Sequence, residues 1–232
     1  MHILLTRPLD DSKELILRFK SLGHRVSHLP VISVNAIEYI EPNYTEFGGI
    51  IFTSANAIKN LNTSNIKKNI QCFCVGSSTE KIAKESGFQN IFCAEGNVNN
   101  LKEVILQNFD KKNGSLIYIS GEIVSSNLDK DLISEGYLVT RLVNYTVKPN
   151  NEIGDKFIKD IKSLIPDIVF IYSENSARNF LDILKKYNLH DEWMETNLMC
   201  LGERASSVLN EIKWKKIFLF NPGEEEFLLY KI

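Results

Sequence analysis

Short apolar runs alternate along the chain with segments whose apolar residues recur at helical spacing. This alternation is typical of strands that feed crossover helices onto a parallel sheet, and it places the chain in the α/β class. The runs predict ten strands, at about 2–5, 25–34, 50–53, 71–75, 90–93, 115–119, 138–147, 167–172, 197–201 and 216–220. The first intervening helix is expected to end before a left-handed Gly23, with Asp10 or Asp11 capping its start.

Four pairs of short segments resemble one another and indicate an internal duplication. The pairs are 51–57 with 170–176, 74–76 with 200–202, 91–92 with 217–218, and 22–23 with 135–136. We interpret them as following the same order in both halves, so ten strands give five to each repeat. Five strands with flanking helices is the size of a flavodoxin-like domain, whose ligands bind at the carboxyl ends of the strands.

Two predicted strands, 25–34 and 138–147, are longer than a small five-stranded sheet needs. A long strand can leave its sheet and serve as a linker. The polar stretch 35–49 follows the first of them and contains Pro42 and the pair Gly48-Gly49, so it is expected to be a connection.

Small polar residues follow four predicted strands and mark candidate binding turns. They are Thr53-Ser54, Gly76-Ser77-Ser78-Thr79, Tyr172-Ser173 and Gly202. Each would precede a helix whose first backbone N–H groups are free, so each turn is a potential anion site. Ordinary helix capping accounts for the same residues. Both interpretations stay open on the sequence alone.

Tyr145 is a candidate of a different kind, because it lies near the end of a long strand that enters a predicted linker. An aromatic residue at such a position packs in a core by default. The same position would also place a phenol close to a domain junction.

Composition and charge exclude several classes of protein. The chain is 44% hydrophobic with a net charge of −2, which excludes a disordered or fibrous protein. No basic stripe marks a nucleic-acid partner, and no apolar run is long enough for a membrane span or a secretory signal. Cys72, Cys74, Cys93 and Cys200 lie in apolar segments, which is typical of buried thiols in a reducing cytoplasm.

Motifs for nucleotides and metals are missing from the sequence. Neither a P-loop nor a G-x-G-x-x-G segment occurs, which disfavours nucleotide binding. The cysteines and histidines do not stand at ligand spacing, so we expect no metal. The four histidines also fit no catalytic triad.

The chain resembles the uroporphyrinogen-III synthase family from end to end, through a series of weak motifs in the family's order. The motifs are Leu5-Thr6-Arg7-Pro8, Leu22-Gly23, Pro30-Val31-Ile32, Phe52-Thr53-Ser54-Ala55-Asn56-Ala57, Cys74-Val75-Gly76-Ser77-Ser78-Thr79, Gly136, Tyr145-Thr146, Tyr172-Ser173 and Cys200-Leu201-Gly202. The resemblance implies two flavodoxin-like domains, each a five-stranded parallel sheet with flanking helices, joined by a two-stranded β-ladder. Residues 1–34 and 149–232 would form one domain and 38–145 the other, with linkers at about 32–38 and 142–149.

The resemblance also implies an activity and a site. The family closes linear hydroxymethylbilane to uroporphyrinogen III with inversion of the terminal pyrrole ring and loss of water. It acts in the cytoplasm, typically as a monomer, without a cofactor, and the substrate lies in the cleft between the domains. Tyr145 matches the family's candidate acid. The positions that match its substrate-binding residues are Thr6, Arg7, Ser54, Asn56, Gly76, Ser78, Thr79, Gly121, Ser173, Asn175 and Gly202.

Two departures and two alternatives accompany this resemblance. Many members have Arg-Gly where this chain has Ser120-Gly121, which predicts the loss of a cationic contact. Glu203-Arg204-Ala205 replace the threonines that often follow the last glycine motif. A non-catalytic two-domain small-molecule binding protein and a small glycosyltransferase-like enzyme are the alternatives from other classes.

Overall fold

The chain folds into two α/β units, each built around its own sheet. The computed structural model describes residues 1–150, 152–189 and 191–232. One unit comprises Met1–Ser33 and Lys148–Ile232, and the other Val34–Val147. The predicted fold class is confirmed, because both sheets consist mainly of parallel strands with helices alongside.

The described residues contain eleven strands and nine α-helices. The strands are β1 (His2–Leu5), β2 (Arg25–His28), β3 (Ile32–Ala36), β4 (Phe47–Phe52), β5 (Gln71–Val75), β6 (Asn90–Ala94), β7 (Ser115–Gly121), β8 (Val139–Pro149), β9 (Ile168–Ile171), β10 (Asn197–Cys200) and β11 (Lys216–Leu219). The helices are α1 (Leu9–Ser21), α2 (Ala55–Lys59), α3 (Ser77–Glu85), α4 (Val98–Asn108), α5 (Leu128–Ser134), α6 (Asp155–Ser163), α7 (Glu174–Lys186), α8 (Glu203–Val208) and α9 (Glu225–Leu228). None of these helices could cross a bilayer, since none combines enough length with enough apolar character.

The prediction of one long strand at 25–34 was wrong. It is two strands, and the segment around Pro30 separates them. Proline has no N–H and a fixed φ, so it interrupts a strand ladder at this point. β2 pairs with β1 in the first sheet, whereas β3 belongs to the second. The described residues therefore hold five strands in one sheet and six in the other, instead of five in each.

β3 and β8 are antiparallel neighbours. The Ile37 N–H donates to the Asn144 carbonyl at 2.9 Å, and the Asn150 N–H donates to the Val31 carbonyl at 3.0 Å. Residue numbers therefore rise along one segment as they fall along the other. The boundaries between the two units fall inside these same two strands, after Ser33 and before Lys148.

Both faces of each sheet are buried at the central strands. In the first sheet, of order β2-β1-β9-β10-β11, consecutive residues such as Ile3 and Leu4 contribute to two separate core clusters. In the second, of order β3-β8-β7-β4-β5-β6, Ile50 and Ile51 do the same. Cores on both faces are the reason that these strands read as continuous apolar runs.

The internal duplication connects the two sheets in a way that we did not predict. The matched segments place β4, β5 and β6 at the sheet positions of β9, β10 and β11. The fourth match, 22–23 with 135–136, joins α1 to α5, and these helices precede β2 and β8. The four matches follow the same order in both halves of the chain, as expected, but each half contributes strands to both sheets. The two units share a spatial order, and their chain orders differ by a cyclic permutation.

The first helix begins differently from our expectation. Pro8 occupies the N-cap of α1 and no side chain caps it, while Asp10 and Asp11 lie in the first turn. Negative charge there is favourable because it faces the positive end of the helix dipole. Gly23 takes the left-handed conformation after the helix, with φ of 80°.

Substitution of Gly48 by alanine should destabilise the protein. A Cβ at this position would clash with the backbone carbonyl oxygen of Asn113, and backbone cannot move aside as a flexible side chain can. We expect Gly48→Ala to cost about 1–3 kcal/mol and to lower the melting temperature by several degrees. Gly154→Ala is the matched control, because a Cβ there has no atom within 4 Å and φ is −64°. Equal melting temperatures for the two variants would contradict the close approach.

Candidate functional site

The carboxyl edge of the second sheet collects the predicted residues of that unit. Ser54 follows β4, Gly76 follows β5, Gly121 ends β7, and Tyr145 lies in β8. These strands run parallel as neighbours, so their carboxyl ends share one edge. This is the edge at which open α/β sheets bind ligands.

A β-bulge sets the direction of Tyr145. Ser120 pairs with Val143 and Gly121 with Tyr145, which leaves Asn144 as an extra residue in β8. Without the bulge, residues 142 and 145 would point to opposite faces. Instead Leu142 and Tyr145 pack against the same core cluster. The extra residue has redirected Tyr145, as bulges beside functional sites often do.

Gly121 makes room for the Tyr145 ring. A Cβ on Gly121 would lie 2.8 Å from Cζ of Tyr145 and 3.1 Å from its hydroxyl oxygen. The ring therefore lies directly against the backbone of Gly121. Tyr145 is 8% exposed, and within the described residues its hydroxyl has no hydrogen-bond partner. The phenol combines a fixed ring with an O–H that bonds to no other described residue.

Asn144 anchors the bulge. Its side chain is fully buried, and Nδ2 donates to the Ala57 carbonyl of α2 at 2.8 Å. Its own carbonyl accepts the N–H of Ile37. Bonds to α2 on one side and to the β3 segment on the other hold the position from which Tyr145 projects.

Arg141 is a site residue that our sequence analysis missed. Its Nε donates to Ser120 Oγ at 2.8 Å, and Nη2 donates to the carbonyls of Gly121 and Glu122 at 2.8 and 3.0 Å. The neighbouring strand thus places a guanidinium beside Ser120, bonded to the protein itself, and the loss of a cationic contact with a ligand stays a prediction. A charged residue in the first half of β8, where its neighbours are uncharged, was the signal that could have identified it.

Tyr118 lies beside this guanidinium in the same sheet. Its hydroxyl and that of Thr53 are 2.9 Å apart. Burial raises the pKa of Tyr118, although the hydrogen bond with Thr53 and the charge of Arg141 oppose that effect. Tyr118 is thus a second neutral phenol at this edge, with its hydroxyl already bonded.

The turn after β5 offers free backbone donors. Gly76 caps α3 with φ of 79°, and its carbonyl accepts the N–H of Thr79. Among the described residues the amides of Ser77 and Ser78 have no acceptor, and both side chains are exposed. Thr79 is buried, so its side chain packs in the protein interior and is not accessible to a ligand. After β4, the Asn56 N–H is already bonded to Ser54 Oγ at 3.2 Å.

The first sheet presents two similar turns at its own carboxyl edge. Ser173 caps α7 by accepting the N–H of Ser176 at 3.1 Å, and Asn175 is exposed. Gly202 precedes α8 with φ of 86°. In the part of the chain that the structure describes, the first two amides of each helix have no acceptor. Ser207 lies one turn after the expected threonines, and its hydroxyl donates to the Glu203 carbonyl.

Thr6 and Arg7 follow β1 but differ in access. The Thr6 side chain is fully buried and its hydroxyl donates to the Phe170 carbonyl at 2.6 Å, so it joins β1 to β9. The Arg7 guanidinium is partly exposed, 4.7 Å from the centroid of the Tyr172 ring and 3.7 Å from Asp11. Arg7 is therefore the member of this pair that a ligand could reach.

Tyr172 is a partly buried tyrosine whose ring faces Arg7. Its hydroxyl oxygen is buried without a partner among the described residues. Burial raises its pKa, the nearby carboxylate of Glu225 acts in the same direction, and the charge of Arg7 opposes both. Tyr172 stays protonated at neutral pH.

The cysteines belong to the cores. Cys72 and Cys74 face the same cluster, as their alternate positions in β5 predict. Burial raises the pKa of Cys72 and of Cys200 to about 12, so both remain thiols at neutral pH. Within residues 1–150, 152–189 and 191–232, no group of three or more His, Cys, Asp or Glu side chains could hold a metal ion.

Comparison with known families identifies the chain. The family model described as Uroporphyrinogen-III synthase HemD matches residues 13–219. This chain belongs to the uroporphyrinogen-III synthase family. The resemblance predicted from the sequence is confirmed.

Similar proteins support the membership and the fold. The Porphyrin biosynthesis protein HemD of Ruminiclostridium josui is 24% identical over 220 residues, which cover 88% of this chain and 42% of that protein. This chain thus spans less than half the length of that relative. Uroporphyrinogen-III synthetase from Helicobacter pylori 26695 has a TM-score of 0.64 at 19% identity, with 100% of this chain and 99% of that chain covered. A mutant uroporphyrinogen III synthase from the extremely thermophilic bacterium Thermus thermophilus has a TM-score of 0.56 at 12% identity, with 100% and 98% covered.

The contact between Gly121 and Tyr145 can be measured by a double-mutant cycle. Gly121→Ala should cost about 1–3 kcal/mol, because the new methyl group meets the tyrosine ring. In a Tyr145→Leu background the ring is gone, so the same substitution should cost less by about 1 kcal/mol or more. Urea unfolding of the four proteins gives the coupling energy. Additive costs would show that the methyl group does not meet the ring.

Proposed function

We propose that this chain catalyses the reaction of its family: the closure of hydroxymethylbilane to uroporphyrinogen III, with inversion of the terminal pyrrole ring and loss of water. The enzyme is then a cyclising hydro-lyase of porphyrin and heme biosynthesis. The family match over residues 13–219 supports this assignment.

The observation that carries the proposal is the setting of Tyr145. The bulge at Asn144 and the bare backbone of Gly121 fix a phenol whose O–H has no partner in the described parts of the chain. A phenol can donate a hydrogen bond while remaining neutral at pH 7. Tyr145 is therefore suited to bond the departing hydroxyl of the substrate.

The reaction needs this acid at one step. The hydroxyl leaves with a proton as water, and the pyrrole nitrogen supplies the electrons, which leaves an azafulvene. The terminal ring then attacks through its substituted carbon to form a spiro intermediate, which fragments and recloses in the inverted sense. The pyrroles provide all the electrons, so the proposed chemistry needs no redox partner or metal.

The larger task of the protein is to hold one folded conformer. A flexible chain with eight carboxylates would otherwise close without inversion, so positioning is the main catalytic contribution. We propose that the turns near Ser54, Gly76, Ser173 and Gly202 bind carboxylates through free backbone N–H groups. The turns before α3 and α7 should contribute most, because these helices have 9 and 13 residues, whereas α2 has 5 and α8 has 6.

Individual residues take different parts in this proposal. Ser78, Asn175 and Arg7 are accessible and would contact the substrate. Thr6 and Thr79 are buried, so they would stabilise the turns and not contact the substrate. Arg141 is proposed as a positioning residue, since it holds the Gly121 carbonyl that underlies Tyr145. Ser54 and Asn56 would act through the turn that they form together.

Organisation and setting are part of the same proposal. The working domains would be residues 1–34 with 149–232 and residues 38–145, linked through about 32–38 and 142–149. The enzyme would act as a monomer in the cytoplasm, with hydroxymethylbilane as its only partner and no contact with nucleic acid or membrane.

Incubation with freshly prepared hydroxymethylbilane tests the activity directly. The expected product is the type III isomer, formed faster than spontaneous closure, which gives the type I isomer. Chromatography of the oxidised porphyrins separates the two. A non-catalytic binding protein would leave both the rate and the isomer unchanged, and that result would refute the proposal.

Tyr145→Phe tests the role of the phenol. Loss of one positioned acid should lower kcat by about 10²- to 10⁴-fold while the fold remains intact. Tyr44→Phe is the matched control, because Tyr44 is buried in the same core cluster but precedes β4, at the opposite edge of the sheet. If Tyr145→Phe retains the wild-type kcat, Tyr145 is only a packing residue.

A further inference from the structure

A groove between α7 and α8 holds two arginines in the unit formed by Met1–Ser33 and Lys148–Ile232. Its volume is about 430 Å³, and its lining residues are Glu174, Arg178, Arg204, Ser207 and Val208. Both helices begin directly after strands of the first sheet, β9 and β10. The groove therefore opens beside the turns at Ser173 and Gly202, which the sequence analysis marked as candidate binding turns.

The two guanidinium groups are in different states. Arg178 is paired with Glu174, since Nη2 and Nε donate to the same carboxylate oxygen at 2.6 and 3.3 Å. Arg204 is exposed, and the described residues supply no ion-pair or hydrogen-bond partner for it. The lining side chains therefore carry a net charge of +1, all of it from Arg204.

The groove matches one chemical class of ligand. A guanidinium presents paired N–H donors that fit the two oxygens of a carboxylate, and no other described residue takes up the donors of Arg204. Val208 adds an apolar wall suited to the methylene groups that link such a carboxylate to a ring. The Ser207 hydroxyl hydrogen is already given to the Glu203 carbonyl, which leaves arginine as the donor. The groove is largely open to solvent, so a carboxylate arm of a larger ligand can enter it.

We propose that this groove binds an acetate or propionate arm of the tetrapyrrole, with Arg204 as the primary contact. Glu174 neutralises Arg178 and so sets the net charge of the lining at +1. This inference rests on the proposed function, because it assigns one carboxylate of that substrate. It gives this chain a side-chain contact at the turn where Glu203-Arg204-Ala205 replace the expected threonines.

A series of charge variants tests the groove. Arg204→Gln reduces the net lining charge to zero, and Glu174→Gln raises it to +2 by releasing Arg178. The KM for hydroxymethylbilane should rise about 3- to 10-fold in Arg204→Gln and fall below the wild-type value in Glu174→Gln, with kcat little changed. Arg204→Lys should restore part of the loss, since it keeps the charge without the paired donors.

Arg25→Gln is the matched control for charge. Arg25 begins β2 at the opposite edge of the same sheet and is exposed. Its loss should leave KM unchanged. A rise in KM equal to that of Arg204→Gln would show that only the overall charge of the protein matters. That result would overturn the proposed binding in the groove.

Binding of uroporphyrin III, a stable octacarboxylate, separates the two proposals. Its Kd can be followed by fluorescence at constant ionic strength. The Kd should be lower in Glu174→Gln than in the wild type, and higher in Arg204→Gln. If the enzyme makes the type III isomer while KM and Kd stay within 2-fold across the series, the groove assignment is wrong and the function stands. If no variant turns over substrate but the ranking of Kd holds, the function is wrong and the groove stands.

Competition identifies the anion. Propionate should displace uroporphyrin III from the wild-type protein more effectively than inorganic phosphate at equal ionic strength, and this difference should vanish in Arg204→Gln. Stronger displacement by phosphate would overturn the carboxylate assignment.

Discussion

Burial of both faces of each sheet is the constraint from which the rest of the structure follows. Consecutive residues of a strand enter two different cores, as Ile50 and Ile51 do, so helices must cover the sheet on each side. Parallel strands can be joined only by crossovers, and every crossover helix begins at the carboxyl edge. Free N–H groups and small polar residues therefore collect at that edge as a consequence of the fold.

The sequence was informative wherever the determining signal is local. Strand ends, the glycines after them and the capping serines at 54 and 173 could be predicted, because each depends on a few neighbouring residues. The direction of Tyr145 could not be predicted. It depends on a bulge that Asn144 fixes through the Ala57 carbonyl, 87 residues away in the chain. Arg141 escaped for a similar reason, since its acceptors lie on the neighbouring strand.

The duplication shows how chain order and spatial order can separate. Short matches identify equivalent strands, and the two sheets keep the same arrangement of those strands. A sheet is stabilised by which strands are neighbours, and the route that the chain takes between them is secondary. Pro30 shows that one apolar run in the sequence can contain two strands. The run 25–34 contributes a strand to each sheet, because the chain leaves the first ladder at this proline.

Charge placement then decides how such a protein can hold a polyanion. A net charge of −2 gives no long-range attraction, and exposed charges are screened beyond roughly 8 Å at physiological salt. For the proposed substrate, attraction must come from groups in direct contact with its carboxylates. The chain has only six arginines, and four of them, at positions 7, 141, 178 and 204, lie at or beside the carboxyl edges of the sheets. Contacts of this kind select ligands by the positions of their carboxylates and not by total charge. That distinction is what an enzyme needs if it must hold one folded conformer of a flexible octacarboxylate.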